Sequence, residues 1–238
     1  FFEIEAILRK HQPKAFFLEN VKGLAIHDKG RTLKTILEHL DDAGYDVVPP
    51  QILNAMDYGV PQHRERIYII GFRKDLGINV ADFHYPEPQT TGDNRPKFRD
   101  VMEKKVPSVK YYLSTVYVET LKRHRARHEA AGHGFGYEII DKDGVANAIV
   151  VGGMGRERNL VIDKRLKDFT PVTNIKGEVN HDGIRRMTPR EWARLQGFPD
   201  EFKIVVADAS AYKQFGNSVA IPAIQATAER ELQMLGII

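Results

Sequence analysis

Arg66-Ile-Tyr-Ile-Ile-Gly-Phe72 is rich in β-branched and aromatic residues and predicts a strand. A second apolar run, Lys14-Ala-Phe-Phe-Leu18, has turn-forming residues on both sides and predicts a buried strand. Residues 29–43 lie between these strands, carry Leu and Ile at helical spacing and stop at Gly44. Helix and strand therefore alternate with short connections, which predicts an α/β sheet with crossover helices.

The same periodicities predict helices over residues 1–11 and 111–128. Residues 45–53 predict a strand that Pro49-Pro50 interrupts.

Two helices are predicted near the end of the chain. Thr188-Pro-Arg-Glu191 is a helix start with Thr as N-cap, Pro in the first turn and Glu closing a capping box, and this helix ends near Gly197. The last helix is predicted over residues 221–235, with Asn217 or Ser218 as its N-cap.

Composition excludes several classes of protein. The 238 residues contain no cysteine, which excludes disulfides, thiolate metal sites and a cysteine nucleophile supplied by this sequence. No run of about 18 apolar residues is present, so no transmembrane helix is predicted. The chain begins inside a predicted helix and without Met, and we expect that other residues precede Phe1.

Charge is unevenly distributed along the chain. The net charge is +3, but residues 95–190 contain 20 Lys and Arg against 12 Asp and Glu. This basic block between two acidic flanks predicts a polyanion-binding region, or a solvated face on an ordinary insertion. Within it, Lys122, Arg123, Arg125, Arg156 and Arg158 are candidate DNA contacts, although each could equally belong to a surface charge cluster.

Two polar clusters adjoin the predicted strands. Glu19-Asn20 follows the first strand, where a carboxylate can act as a general acid or simply cap the next turn. Gln62, Arg64 and Arg66 alternate along the strand that ends at Phe72, so we expect them on one face. Two guanidiniums and an amide on one face can hold a carboxylate, a phosphate or a carbonyl oxygen, or can be solvated charges on an edge strand.

Four motifs occur in an order that resembles the later motifs of the DNA (cytosine-5) methyltransferases, especially the bacterial restriction-modification and Dcm-like members. They are Leu18-Glu-Asn-Val21, Tyr58-Gly-Val-Pro-Gln-His-Arg-Glu-Arg-Ile67, Met187-Thr-Pro-Arg-Glu-Trp-Ala-Arg-Leu-Gln-Gly-Phe-Pro199 and Ala211-Tyr-Lys-Gln-Phe-Gly-Asn-Ser-Val219. The resemblance spans almost the whole chain. It implies a partial S-adenosylmethionine-dependent, Rossmann-like α/β sheet over residues 1–84 and 186–238, with a smaller mixed target-recognition domain inserted over residues 85–185.

The resemblance also implies an activity. In this family a cytosine flipped out of double-stranded DNA is attacked at carbon 6 by a Cys thiolate and takes a methyl group from S-adenosylmethionine at carbon 5, without a metal. The carbon-5 proton is then lost and the thiolate leaves carbon 6. By resemblance, Glu19 engages ring nitrogen 3 and Asn20 shapes the adjoining loop. Arg64 and Arg66 hold the cytosine carbonyl oxygen and orient Glu19.

For the remaining contacts, the resemblance implies that Asn217, Ser218 and Val219 lie against the cofactor. Gln62 is a further candidate DNA contact, in addition to the five Lys and Arg residues named above. A bacterial protein of this kind is expected in the cytoplasm, associated with the nucleoid.

The sequence departs from the family in one respect, because the Pro-Cys motif, the Phe-x-Gly-x-Gly cofactor loop and the acid for the ribose are not present. We therefore expect a C-terminal part of such an enzyme that is inactive alone, its N-terminal half being removed, omitted or carried on a separate chain. The alternatives are a non-catalytic DNA-binding or regulatory subunit of a split methyltransferase, and an unrelated α/β enzyme with a basic insertion.

Overall fold

The computed structural model describes residues 1–134, 136–152, 155–172, 175 and 177–238. Its helices are α1 (Phe2–His11), α2 (Arg31–Asp42), α3 (Phe98–Val101), α4 (Thr115–Ala130), α5 (Pro189–Leu195), α6 (Asp208–Asn217) and α7 (Ile221–Met234). Its strands are β1 (Ala15–Val21), β2 (Tyr45–Val47), β3 (Gln51–Asn54), β4 (Gln62–His63), β5 (Glu65–Arg73), β6 (Ala146–Asn147), β7 (Leu160–Ile162) and β8 (Ile184–Arg186). Contacts divide the chain into a first unit of residues 1–58, 65–91 and 222–238, and a second unit of residues 59–64 and 92–221.

The first unit is built on one sheet with β5 at its centre. β1 pairs with one edge of β5, while β2 and β3 share the other edge, and all three pairings are antiparallel. β1 and β2 therefore run parallel to each other and are connected through α2. This confirms the predicted crossover helix, whereas the antiparallel direction of the strand between them was not predicted.

β5 is buried on both faces because its side chains alternate. Ile67 and Ile69 pack with Leu40 of α2 in one core, and Tyr68 packs with Ala223 and Ala226 of α7 in another. Helices therefore cover both faces of the sheet in this unit, which is the layer arrangement expected of an α/β fold.

The second unit has short strands and a core around α5 and α6. The Trp192 ring of α5 meets the Tyr212 ring of α6 edge to face, with centroids 4.9 Å apart. Met187 and Phe98 are also fully buried in this core. β4 pairs in parallel with β6, and β7 pairs antiparallel with β8.

The prediction that Gln62, Arg64 and Arg66 share one strand face is wrong. β4 ends at His63, β5 begins at Glu65, and Arg64 belongs to neither strand. The alternation breaks at Arg64 because the two strands take part in different pairings, β4 with β6 in the second unit and β5 with β1 in the first.

The prediction that Asn217 or Ser218 caps the last helix is also wrong. Asn217 is the last residue of α6, a helix that the sequence analysis missed, and Ser218 is its C-cap, with its N–H donating to Phe215 O. Gly216 lies inside α6 and not at a turn. A larger residue would not fit at this position, because a Cβ on residue 216 would be 2.5 Å from Val151 Cγ2.

The predicted start of α5 is confirmed, whereas the first strand is longer than predicted. Thr188 caps α5 in a capping box, in which Glu191 N donates to Thr188 Oγ1 at 3.1 Å and Thr188 N donates to Glu191 Oε2 at 2.8 Å. The strand predicted to stop at Leu18 continues to Val21, so Glu19 and Asn20 lie inside β1. None of the helices in the described residues is long and apolar enough to span a bilayer.

The borders of the two units differ from the predicted domain borders. Residues 186–221 pack in the second unit, whereas the resemblance implies that they share a domain with residues 1–84. The buried side chains of α5 and α6 explain this difference, because they form the main core of that unit. The target-recognition role of residues 85–185 stays a prediction.

Candidate active site

Glu19 and Arg66 form an ion pair in the first unit, where Arg66 Nε lies 2.9 Å from Glu19 Oε1. The strand register produces this contact. Arg66 is directly opposite Val21, and Glu19 lies two residues before Val21 on the same face of the sheet. A register shift of one residue would turn Arg66 to the other face and remove the pair.

The ion pair holds the carboxylate while leaving part of it accessible. Arg66 is fixed by a second bond, from Nη1 to Glu65 O at 2.9 Å, and Lys22 Nζ bonds both carboxylate oxygens of Glu65 at 3.0 and 2.9 Å. Glu19 is 23% exposed, and within the described part of the chain its Oε2 has no protein donor. A fixed carboxyl group with one open oxygen can form a directed hydrogen bond to a ligand.

Asn20 bonds its own backbone rather than another element. Its Oδ1 accepts a hydrogen bond from Val21 N at 2.8 Å. This contact shapes the end of β1 next to Glu19.

Arg64 and Gln62 are buried in the second unit. Arg64 Nη1 donates to Ile149 O at 3.1 Å, and Nη2 donates to Ser218 O at 2.8 Å. Gln62 accepts from Ile149 N at 3.0 Å and donates to Leu195 O at 2.7 Å. Both side chains therefore hold backbone segments together, and the predicted DNA contact of Gln62 would require this buried amide to exchange its partners.

The three predicted cofactor residues follow one another at the end of α6. Asn217 is exposed, while Ser218 and Val219 are half-buried. The Ser218 hydroxyl donates to Phe215 O at 2.8 Å, so its hydrogen is used within the protein. The Asn217 amide is the accessible polar group of the three.

Lys122, Arg123 and Arg125 all lie on α4 in the second unit. Each bonds a side chain within four residues of itself on the same helix. Arg125 also donates to Tyr137 O at 3.3 Å and stacks on the Tyr137 ring. Lys122 and Arg125 remain about half exposed, so both can face an anion.

Arg156 and Arg158 follow Met154, which lies outside the described residues. The Arg156 guanidinium carbon lies 5.4 Å from the centre of the Tyr212 ring, a cation–π contact. Arg158 is 51% exposed, and its Nη2 lies 3.8 Å from Glu138 Oε1.

Sequence reasoning missed a second arginine–glutamate pair, formed by Arg186 and Glu157. Arg186 Nη2 lies 2.7 Å from Glu157 Oε1, and the Tyr117 hydroxyl donates to the same oxygen at 3.2 Å. Burial is the largest of the effects that raise the pKa of Tyr117, which keeps this hydroxyl protonated as a donor. Glu157 stands in the run Arg156-Glu-Arg158, which has the pattern of solvated charges, so no local signal marked it.

The C-5 cytosine-specific DNA methylase family matches residues 1–233. The chain is 67% identical to the Type II methyltransferase M.HpaII of Haemophilus parainfluenzae over 99% of its own length and 65% of that protein. It is 40% identical to the Type II methyltransferase M1.ScrFI of Lactococcus lactis subsp. cremoris, over 99% of its own length and 56% of the relative. It thus spans between about half and two thirds of these curated relatives.

Solved structures agree with the fold. The S. pombe Dnmt2 methyltransferase superposes with a TM-score of 0.70 at 17% identity, covering 99% of this chain and 72% of that one. A prophage-encoded DNA modification methyltransferase of E. coli, described as putative, gives a TM-score of 0.61 at 19% identity, with coverage of 98% and 72%.

Proposed function

Because the chain belongs to the C-5 cytosine-specific DNA methylase family, we propose that it is the part of a bacterial DNA cytosine-5 methyltransferase that engages the target cytosine and the DNA around it. The observation that carries this proposal is the Glu19–Arg66 ion pair with an open carboxylate oxygen. A subunit that only bound DNA would have no use for a fixed acid beside an arginine. Cytoplasmic association with the nucleoid follows from the proposed substrate and from the bacterial relatives.

Glu19 performs the central step assigned to this chain. Cytosine is a weak electrophile, so ring nitrogen 3 must receive a proton or a strong hydrogen bond as negative charge develops on the ring. Glu19 supplies this bond in its protonated form, whose O–H proton passes to or is shared with nitrogen 3, from a carboxyl group that Arg66 holds in one orientation. Arg64 acts as a positioning residue, because it ties Ile149 to Ser218 through their carbonyl oxygens.

The cofactor of this reaction is S-adenosylmethionine, whose bound methyl group is the electrophile. The exposed Asn217 amide can both donate and accept, which fits the carboxylate and ammonium groups of the methionine portion. The chain contains no cysteine, so the thiolate that the reaction needs comes from residues outside this sequence. The 238 residues alone are therefore inactive.

The test uses the native polypeptide, including any residues that precede Phe1. It is incubated with DNA and S-adenosylmethionine labelled in the methyl group, and the DNA is then hydrolysed to nucleosides. We expect the label in 5-methylcytosine. DNA binding without label would contradict the enzyme and support a DNA-binding or regulatory subunit.

The basic residues of the second unit supply the DNA affinity. We expect the logarithm of the association constant to fall linearly with the logarithm of salt concentration, with a slope of about −0.9 for each phosphate neutralised. A binding constant independent of salt would contradict this role.

A further inference from the structure

The second unit contains a cleft of about 820 Å³ that the proposed reaction does not use. The residues that line it include four aromatic rings and three cations: Tyr111, Tyr112, Tyr117 and Tyr212, with Lys110, Arg156 and Arg186. Flat apolar walls with a few directed polar groups are typical of a site that recognises a planar ligand.

Arg186 is the most rigidly held of these cations. Its Nε and Nη2 donate to the same Glu157 oxygen at 3.0 and 2.7 Å. Its guanidinium carbon lies 5.4 Å from the centre of the Tyr117 ring. Because Tyr117 also bonds Glu157, the three side chains fix one another, and little conformational entropy remains to be lost when a ligand binds.

Arg186, and not its partner Glu157, is accessible from the cleft. Glu157 is almost fully buried and does not line the cleft, whereas the Arg186 side chain is 28% exposed and does. Within the described ranges of the chain, the side-chain partners of Arg186 are Glu157 and the Tyr117 hydroxyl, and no acceptor lies within ordinary hydrogen-bond geometry of Nη1. Nη1 and the second hydrogen of Nη2 together present two parallel donors.

The buried carboxylate also selects the kind of acceptor. Glu157 offsets the charge of Arg186, which weakens its attraction for a phosphate but leaves its two donors intact. A neutral edge with two adjacent acceptors fits this group best, and among the bases guanine presents such an edge, through N7 and O6, in the major groove.

The neighbouring cations differ in this respect. Lys110 is paired with Asp208 at 2.8 Å, so its charge is also offset, but an ammonium cannot form the two parallel bonds. Arg156 stacks on Tyr212 and has no carboxylate partner within the described residues, which suits it to a phosphate.

We propose that Arg186, held by Glu157 and Tyr117, recognises one guanine of the DNA target through its N7 and O6. This inference rests on the proposed function, because it names a specificity-determining residue for the same DNA substrate. It assigns to Arg186 the discrimination at one base pair and no part in methyl transfer.

The test combines a protein variant with an altered base. The native polypeptide first selects its preferred site from a pool of random duplexes, and each guanine of that site is then replaced in turn by 7-deazaguanine, which lacks the N7 acceptor. Equilibrium affinities are measured for the wild type, for Arg186→Lys and for the control Arg99→Lys. Arg186→Lys keeps the positive charge but loses the two parallel N–H donors. Arg99 forms an exposed pair with Asp143 in the same unit and does not line the cleft.

At one position, we expect 7-deazaguanine to weaken wild-type and Arg99→Lys binding on the order of tenfold. The same replacement should cost the Arg186→Lys variant less than about twofold, because the contact is already lost. Glu157→Gln should give an intermediate penalty, since it loosens Arg186 without removing it.

Two results would overturn the inference. One is an equal 7-deazaguanine penalty in the wild type and in Arg186→Lys at every guanine. The other is a loss of affinity in Arg186→Lys that is uniform across sequences and is accompanied by a smaller salt slope, which would make Arg186 a phosphate contact. If the polypeptide still labels 5-methylcytosine in either case, this inference fails while the proposed function stands.

Discussion

The two units each contain an arginine–glutamate pair with Oε1 about 3 Å or less from a guanidinium nitrogen, yet the partners exchange roles. In the first unit the carboxylate of Glu19 is the more exposed member, at 23% against 15% for Arg66. In the second unit the guanidinium of Arg186 is the more exposed, at 28% against 5% for Glu157. The more exposed member can meet a ligand, and the more buried member fixes its orientation.

A third group in the second unit completes the comparison. Arg185 pairs with Glu191 at 2.8 Å and with Asp163 at 3.1 Å, and all three side chains are at most 1% exposed. Neither the guanidinium nor the two carboxylates of this group are accessible to a ligand. We therefore expect the difference in exposure between the partners, rather than the presence of an ion pair, to separate a binding group from a structural one.

The largest effect is expected from Glu19→Gln in the native polypeptide. The variant keeps the size of the side chain but cannot transfer a proton, so methyl transfer should fall about 100–10,000-fold. DNA affinity should change less than about twofold, because Arg66 and not Glu19 carries the positive charge. Single-turnover labelling and equilibrium binding on one duplex measure the two effects, and an equal loss of both would contradict the catalytic role.

Arg185→Met should destabilise the second unit by about 3–5 kcal/mol, because two buried carboxylates lose their shared cation. Urea unfolding of the variant measures this loss. The control Arg99→Met removes an exposed pair and should change the free energy of unfolding by less than about 1 kcal/mol. Similar losses in the two variants would show that burial does not separate these pairs.

Acid should weaken the same buried group. Burial alone would raise the pKa of Asp163, but the Arg165 hydrogen bond and the Arg185 charge outweigh it and hold this pKa at about 2, against an ordinary value of 3.8. The resulting stabilisation, about 2 kcal/mol, is complete above pH 3.8 and is lost as the pH falls through about 2. The difference in unfolding free energy between wild type and Asp163→Asn should shrink over that range, and a difference independent of pH would contradict this assignment.

The smallest effect is expected from Arg66→Lys. Lysine keeps the charge beside Glu19 but loses the planar guanidinium whose Nε lies 2.9 Å from Glu19 Oε1, so methyl transfer should fall about tenfold at unchanged DNA affinity. The measurement is the single-turnover rate at saturating DNA. If the lysine variant kept the full rate, charge alone and not orientation would be the contribution of Arg66.

Local patterns predicted the elements that depend on near neighbours in sequence. β5 follows from its β-branched residues, and the start of α5 follows from Thr188 and Glu191, which are three residues apart. Glu19 and Arg66 could be brought together only through the family resemblance, because their contact depends on the β1–β5 register.

The features that the sequence did not predict depend on distant partners. The break at Arg64 comes from pairing with β6, more than 80 residues away in the chain. Glu157 and Arg186 are 29 residues apart. Glu157 stands between two arginines and Arg186 directly follows Arg185, and both patterns resemble a solvated surface. No periodicity marks such a pair before the chain folds.

The most direct test measures the affinity of each variant, Glu19→Gln and Arg186→Lys, for the selected duplex and for its 7-deazaguanine counterpart. The quantity compared is the ratio of these two affinities. If Glu19 acts in methyl transfer and Arg186 in guanine recognition, Glu19→Gln keeps the wild-type ratio while losing methyl transfer, and Arg186→Lys brings the ratio close to one. A ratio that falls equally in both variants would contradict the division of catalysis and recognition between the two pairs.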